Sequence, residues 1–402
     1  MNAGKMPGNG KMPGNAGKKP EIVFVLPDIL GGVSSFNRNI INNSSLRKKA
    51  YVKVILVSAS GWPHPRITEP MDADEVVDFR YDAAENQYAV LKRLHGLFGP
   101  DPGAIFCNEA IEMESIYHYG TTKTVYQFIH DFYNIKLAVK YGAITDVFVT
   151  HTQLFRDVLL SSDPGQVKAF QLLHGVNIPE AAALAEPGDH LKIVFTGRLV
   201  EGKGVQDIYC INRLLRSRGI EVEWTIIGRG PMKAFLAEQW KEETNIRFAA
   251  PDTTEEVMQI MGAGDIFLLP TRFEGSPVTI LEALSVGIVP VVSDLPGGIR
   301  EIVKENIGRT IPVGDNEGFA DAIAELHSDR AKLQAMKQNA RRLALEKFDI
   351  RATSDHYFDL LLRFASFKKE RGKLPRIPVG FRLDQKWLPN VLVSFIRKGF
   401  SS

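Results

Sequence analysis

The stretch Thr196 to Val205, TGRLVEGKGV, comes within one residue of a phosphate-binding loop. Gly197, four residues, Gly202 and Lys203 keep the G-x-x-x-x-G-K spacing in which backbone amides and a lysine cradle phosphates. Gly204, however, stands where a Ser or Thr hydroxyl would hold magnesium. That excludes a Walker-type ATPase. It leaves Arg198 and Lys203 as a metal-free clamp, two cations able to neutralise a diphosphate with their own charge. The plainer reading is a Gly-rich turn with solvated basic side chains.

A second group lies in PTRFEGSPVTILEALSVGIVPVVSD, from Pro270 to Asp294, where Glu274 precedes Glu282 by eight positions. A helix is expected to open between them, with a Pro at its start and Gly287 near its end. One carboxylate then comes from a loop and the other from the first turns, and both can face one cleft. Unpaired amides around Val278 and Thr279 would point out of the helix start, where the backbone dipole favours an anion. Carboxylates accept hydrogen bonds from hydroxyls, so two polyol-binding groups flank a phosphate-binding one. Two weaker candidates lie earlier in the chain. PDILGGVSSF offers Gly31 and Gly32 after a strand, and His130-Asp131 follows the strand TVYQFI. Neighbouring residues at a strand end point in opposite directions, so His130 and Asp131 are not a metal pair. The G-x-G-x-x-G spacing of a dinucleotide site is missing from the first of these loops.

These residues matter because of the elements that would carry them. Apolar runs IVFVLP, VKVILVSAS, AIFCN, TVYQFI, DVFVT and AFQLL alternate with helical-period segments, and a second series follows: KIVFTG, VEWTIIG, IRFAA, DIFLLPT, VPVVSD and RTIPVG. Runs apolar at nearly every position predict strands buried on both faces of parallel sheets. In such sheets ligands bind beyond the carboxyl ends of the strands, which is where the four groups fall. With 402 residues and 44% hydrophobic composition, two domains are expected rather than one. The boundaries read as a flexible basic tail at 1–18, a Rossmann-like domain at 19–179, a linker at 180–189 and a second Rossmann-like domain at 190–345. A helical segment follows at 346–370 and a basic aromatic tail at 371–402.

Bulk charge narrows the partners. A formal net charge of +2 argues against a nucleic-acid binder held by a general basic field. Two cysteines, Cys107 and Cys210, supply no disulfide framework or metal-type spacing, which fits a cytoplasmic setting. No run reaches the roughly 18 apolar residues needed to span a bilayer. The tail segment WLPNVLVSFIRKGF combines Trp387, Phe395 and Phe400 with Arg397 and Lys398, a composition suited to peripheral contact with the cytoplasmic face of an anionic membrane. A packed terminal segment with solvated charges is the alternative.

GRLVEGKG and FEGSPVTILEALSVGIVPVVSD resemble the GR-x-x-x-x-KG and E-x7-E motifs of the retaining GT4 glycosyltransferases, most strongly over residues 190–345, with GGVSSF, HD and HGVNIPE in matching order before them. The resemblance implies an α/β chain of the GT-B fold, two Rossmann-like doubly wound domains, acceptor-binding at 19–179 and nucleotide-sugar-binding at 190–345, facing each other across a cleft that closes on the donor. It implies that Arg198 and Lys203 bind the donor diphosphate, that Glu274 holds hydroxyls of the transferred sugar, and that Glu282 holds the nucleotide ribose. Backbone near Gly275, Ser276, Val278 and Thr279 would line sugar and phosphates, and Gly228 of GRGP would lie beside the nucleotide. Gly31 and Gly32 would approach the phosphate or acceptor, and His130 would contact the sugar near the reacting centre. Residues around Arg351 to Phe364 would form the family's C-terminal helix, which crosses back to the first domain. His174-Gly175-Val176-Asn177 departs from the family's NG-V-D segment.

The implied reaction moves a sugar, with UDP-sugar the expected donor, onto a hydroxyl of a saccharide or lipid-linked acceptor in cell-surface glycan synthesis, with retention. The nucleotide sugar is a substrate. No cofactor or metal is expected, and Asp72 to Glu75, DADE, reads as an acidic loop despite its D-x-D match. The competing readings are a nucleotide-sugar epimerase or hydrolase of related fold and a non-catalytic sugar-nucleotide binder.

Overall fold

The computed structural model describes residues 18–29, 31–62, 65–162, 168–179, 188–274, 278–375 and 377–399. The N-terminal repeat up to residue 17, residues 180–187 of the linker, Gly275, Ser276 and Phe400 lie outside the described residues. The chain divides into two units. One comprises residues 1–150, 158–170 and 354–402, the other residues 151–157 and 171–353.

The N-terminal unit is built on β1 (Glu21–Pro27), β2 (Tyr51–Ala59), β3 (Glu75–Tyr81), β4 (Gly103–Cys107), β5 (Thr124–Ile129), β6 (Val147–Thr150) and β7 (Ala169–Gln171), in the order β3-β2-β1-β4-β5-β6-β7. The pairings β1 with β2 and β4, β2 with β3, and β5 with β4 and β6 are all parallel. β4, β5 and β6 are buried at every position, as expected for strands covered on both faces. β3 was not anticipated. It ends the sheet, and its sequence EVVDFRY exposes every second residue or so, which breaks the continuous apolar run that marks a central strand. Part of the expected acidic loop therefore belongs to a strand. Glu75 opens β3 and pairs with Lys53 at 3.2 Å, while Asp74 pairs with Arg47 at 3.0 Å.

The C-terminal unit repeats the plan with β8 (Leu191–Thr196), β9 (Val222–Ile227), β10 (Ile246–Ala249), β11 (Ile266–Leu269), β12 (Val289–Ser293) and β13 (Arg309–Ile311), in the order β10-β9-β8-β11-β12-β13. Its core joins these strands to helices that include Val205–Ser217 and Arg330–Lys347. Sheet orders of this kind reverse direction once, between β1 and β4 in the first unit and between β8 and β11 in the second. Loops leaving the two strands at a reversal diverge to opposite faces and open a crevice. The expected helical segment 346–370 is broken: one helix ends at Lys347, another spans Ile350–Leu362, and a single 3-10 turn spans Phe364–Ser366.

The divergent segment at His174 is anchored to that break. Val176 donates to the Phe348 carbonyl at 2.8 Å and accepts from Ile350 at 3.2 Å. A Cβ on Gly175 would overlap Thr353 and Ile350. Burial pushes the His174 imidazole down to about 4, so it stays neutral in the core.

Candidate functional site

In the C-terminal unit the crevice between β8 and β11 is lined by the two motifs singled out above. After β8 the chain passes Gly197 and Arg198, makes a 3-10 turn at Glu201–Lys203, and enters the helix Val205–Ser217 at Gly204. After β11 it runs through Pro270 to Glu274 before the helix Val278–Ser285. The two loops are bonded together: Arg272 donates its backbone N–H to the Gly202 carbonyl at 2.9 Å, and the Thr271 hydroxyl donates to the same oxygen at 3.2 Å. Arg272 also grips Asp207 in the first turn of the helix Val205–Ser217 through both guanidinium amines.

This packing gives Gly204 a reason that its place in the motif did not. Its backbone is left-handed, at φ +71°, and a Cβ there would overlap the Pro270 carbonyl. A hydroxyl-bearing residue therefore has no room at this position. Gly228 is fixed in a similar way, since a Cβ on it would overlap the Gly197 carbonyl, and the next residue's carbonyl accepts from Leu199 at 2.9 Å. The turn from Gly228 thus backs the one that carries Arg198.

The structure brings Lys203 and Glu274 into a direct ion pair. Their side chains are only 20% and 14% exposed, so each offsets a charge the other would otherwise leave poorly solvated. Arg198 is exposed and makes no ion pair with a described residue. In the helix Val278–Ser285, Ile280, Leu281, Ala283, Leu284 and Ser285 are buried, whereas Val278, Thr279 and Glu282 stay partly accessible. Residues at these spacings share one helix face, so the three candidates on this helix project together away from the core. The Glu282 carboxylate makes no hydrogen bond to a described residue, and burial alone pushes it up to about 7. Glu282 is not bonded to Lys203 or Glu274.

The N-terminal unit has its own crevice, between β1 and β4. A cavity of about 440 Å³ there is lined by Gly31, Gly32, Trp62, Tyr81, Glu109 and Tyr133, among others. Gly31 and Gly32 open the helix Gly32–Asn43, and a Cβ on either would touch nothing within 4 Å. Neither glycine is demanded by packing. Glu109 is pushed up to about 7 by burial and by the nearby Asp131, and Glu112 to about 8 by burial. Glu109 was missed in the sequence, although it follows the strand AIFCN as His130 follows TVYQFI, and the same positional rule finds both.

His130 is not among the residues lining that cavity. It is held by a buried amide cluster. Its Nε2 lies 2.9 Å from Asn108 Oδ1, and its backbone N–H donates to Asn134 Oδ1 at 3.0 Å. Asn108 donates from Nδ2 to the Val25 carbonyl at 2.9 Å, and its Oδ1 also accepts from Asn37 at 3.1 Å. A carbonyl can only accept, which fixes the Asn108 amide with Oδ1 toward the ring and assigns the proton to Nε2. Asp131 turns away and caps the helix Phe132–Tyr141, accepting from Tyr133 and Asn134 at 2.8 and 3.1 Å.

Residues 178–343 match the family model described as Glycosyl transferases group 1. Over 186 residues the chain is 31% identical to a putative colanic acid biosynthesis glycosyltransferase, WcaL, of Salmonella typhimurium, covering 44% of this chain and 46% of that one. The chain spans about half the length of the curated relatives it matches. Among solved structures, a sucrose-phosphate synthase from Thermosynechococcus elongatus superposes with a TM-score of 0.69 at 15% identity, over 87% of this chain and all of that one. Anabaena HepE in complex with UDP and glucose gives 0.67 at 15% identity, over 85% and 99%. The two Rossmann-like units have the fold of these GT-B structures.

Proposed function

We propose, on the premise that residues 178–343 are a glycosyl transferases group 1 domain, that the chain moves a sugar from a nucleotide diphosphate sugar to an acceptor hydroxyl. The carrying observation is the Lys203–Glu274 pair at the β8–β11 crevice, with exposed Arg198 in the same loop after β8. A diphosphate is a stronger partner for an ammonium than a single carboxylate. Donor binding would therefore draw Lys203 onto the phosphates beside Arg198 and free Glu274 to accept hydrogen bonds from the sugar. Glu282, with Val278 and Thr279 on its face of the helix, would hold the ribose end.

The chemistry we propose is front-face transfer with retention and without metal. The anomeric carbon–phosphate oxygen bond breaks as the acceptor oxygen bonds the same carbon, and the acceptor proton passes to the departing phosphate oxygen. The chain's part is to stabilise charge growing on the diphosphate and to position the acceptor. UDP is the donor nucleotide we favour, because the HepE structure of like fold holds it. For the acceptor we favour a saccharide or lipid-linked saccharide of a surface polymer, because WcaL is named for colanic acid synthesis. The cavity of the N-terminal unit suits such a group. Trp62, Tyr81 and Tyr133 offer ring faces and Glu109 a hydroxyl acceptor. His130 is assigned to the transferred sugar by family resemblance. The free thiols Cys107 and Cys210 are consistent with action in the cytoplasm.

Thermal-shift measurement against UDP-, GDP- and ADP-sugars tests the donor. Mass spectrometry of products made with a membrane extract tests the transfer. Stabilisation by a UDP-sugar and a product heavier by one sugar are expected; stabilisation by none of the three donors would overturn the reading.

A further inference from the structure

The C-terminal helix Asn390–Gly399 sits on the N-terminal unit with its polarity reversed. Asn390, Val393 and Arg397 face inward, and the attachment is chiefly polar. Asn390 Oδ1 accepts the Asn86 N–H at 2.7 Å and its Nδ2 donates to Glu85 at 2.9 Å; Arg397 donates to the Glu85 carbonyl at 2.6 Å and pairs with buried Asp384 at 2.8 Å. Asn86 also donates to the carbonyls of Gln385 and Leu388 at 2.9 and 2.8 Å, fixing the turn that precedes the helix. The opposite face is apolar and exposed. Phe381 is 85% accessible, Trp387 77%, Val391 82% and Phe395 78%, and Leu392 lies beside them at 46%. Trp387, Val391 and Phe395 are spaced four residues apart, and Val391 and Phe395 share the outward face of the helix. A single exposed apolar side chain is ordinary, but five within fifteen residues on a firmly held segment form a contact surface.

Charge decides what would cover it. Residues 371–402 carry seven Lys and Arg against one acid, Asp384. That acid is buried and already paired with Arg397. Arg382 and Lys386, which precede Trp387 in the chain, are exposed and make no ion pair with a described residue; the Lys386 ammonium lies over the Tyr88 and Tyr119 rings. Lys398 is 65% accessible although it reaches Asp82 at 2.9 Å. Exposed aromatic and aliphatic groups on a segment that also exposes Arg382, Lys386 and Lys398 suit the boundary between acyl chains and anionic headgroups. No helix of the described residues is long and apolar enough to cross a membrane. We propose that this face, centred on Trp387, Val391 and Phe395, docks the N-terminal unit in plane on an anionic lipid surface. The proposal goes beyond the transferase reading and needs no sugar substrate.

Co-sedimentation of the full chain with vesicles of phosphatidylglycerol and phosphatidylcholine, against phosphatidylcholine alone, tests it. The chain should bind the anionic vesicles and release them in high salt. Trp387→Ser with Phe395→Ser should weaken that binding about tenfold or more with the melting temperature unchanged, since both side chains are exposed. Arg382→Glu with Lys386→Glu should weaken it also. Wild-type binding by the Trp387→Ser/Phe395→Ser variant, or no preference for anionic vesicles, overturns the proposal. So does a concentration-dependent dimer, seen by light scattering, that the same variant abolishes, because a second copy of the chain would then be the occupant. None of these outcomes depends on transferase activity.

Discussion

Replacing Lys203 with Ala separates a diphosphate ligand from a structural ion pair, because the structure predicts different partners for the two roles. In the protein as described, Lys203 pairs with Glu274, and the side chains are 20% and 14% exposed. Exposed pairs contribute about 0.2–1 kcal/mol, and breaking a fully buried one costs about 3–5 kcal/mol. This accessibility places the loss between them, at roughly 1–2 kcal/mol. For a unit of this size that lowers the melting temperature by about 3–6 °C. Most of that loss comes from the carboxylate left behind, so Lys203→Ala with Glu274→Gln should recover most of the stability. Turnover should behave otherwise. If Lys203 offsets charge on the leaving diphosphate, Lys203→Ala removes about 3–4 kcal/mol of transition-state stabilisation, roughly 10²–10³-fold in turnover. The second substitution cannot restore it. Melting curves and nucleotide release from the donor, measured on the wild type, both single variants and the double variant, complete the cycle. Near wild-type turnover in Lys203→Ala, or rescue of turnover together with stability in the double variant, would refute the diphosphate role.

Gly204→Ala places a Cβ against the Pro270 carbonyl at a left-handed backbone position, so we expect a loss of at least about 2 kcal/mol in urea unfolding; a neutral result would contradict the described packing. The Glu282 carboxyl, raised to about 7, is neutral below that pH and ionised above it. Nucleotide affinity should therefore rise between pH 6 and pH 8, and Glu282→Gln should bind about tenfold more weakly with the slope flattened. For the unliganded protein the sign is opposite. A carboxyl raised in the folded state contributes stability that is complete below its unfolded value of 4.5 and lost as the pH rises through about 7, and Glu282→Gln should remove that decline. Asn108→Ala strips the acceptor from His130 Nε2 and the donor from the Val25 carbonyl, for a cost of about 2–4 kcal/mol. Nitrogen NMR of the imidazole should show one Nε2–H tautomer in the wild type and a mixture in the variant; an unchanged single tautomer would show that Asn108 does not set it.

Much of the fold is legible in the order of residues, because a strand buried on both faces of a parallel sheet must be apolar throughout. TVYQFI and KIVFTG therefore announce β5 and β8 to within a residue. β3 escapes because an edge strand needs only one apolar face, and EVVDFRY reads equally well as a charged loop. The two motifs were also visible as residue types and spacings. Their meeting was not: Lys203 and Glu274 lie 71 positions apart, and they touch because β8 and β11 are neighbours at the point where the sheet order reverses. The clash that makes Gly204 obligatory and the amides that fix the His130 proton come from segments distant in sequence, as does the reversed face of the C-terminal helix. Composition could say that this last segment was apolar and basic. Only its packing against Glu85, Asn86 and Asp384 decided that the polar side turns inward and the aromatic side meets the surroundings, since that face follows from where partners lie in space.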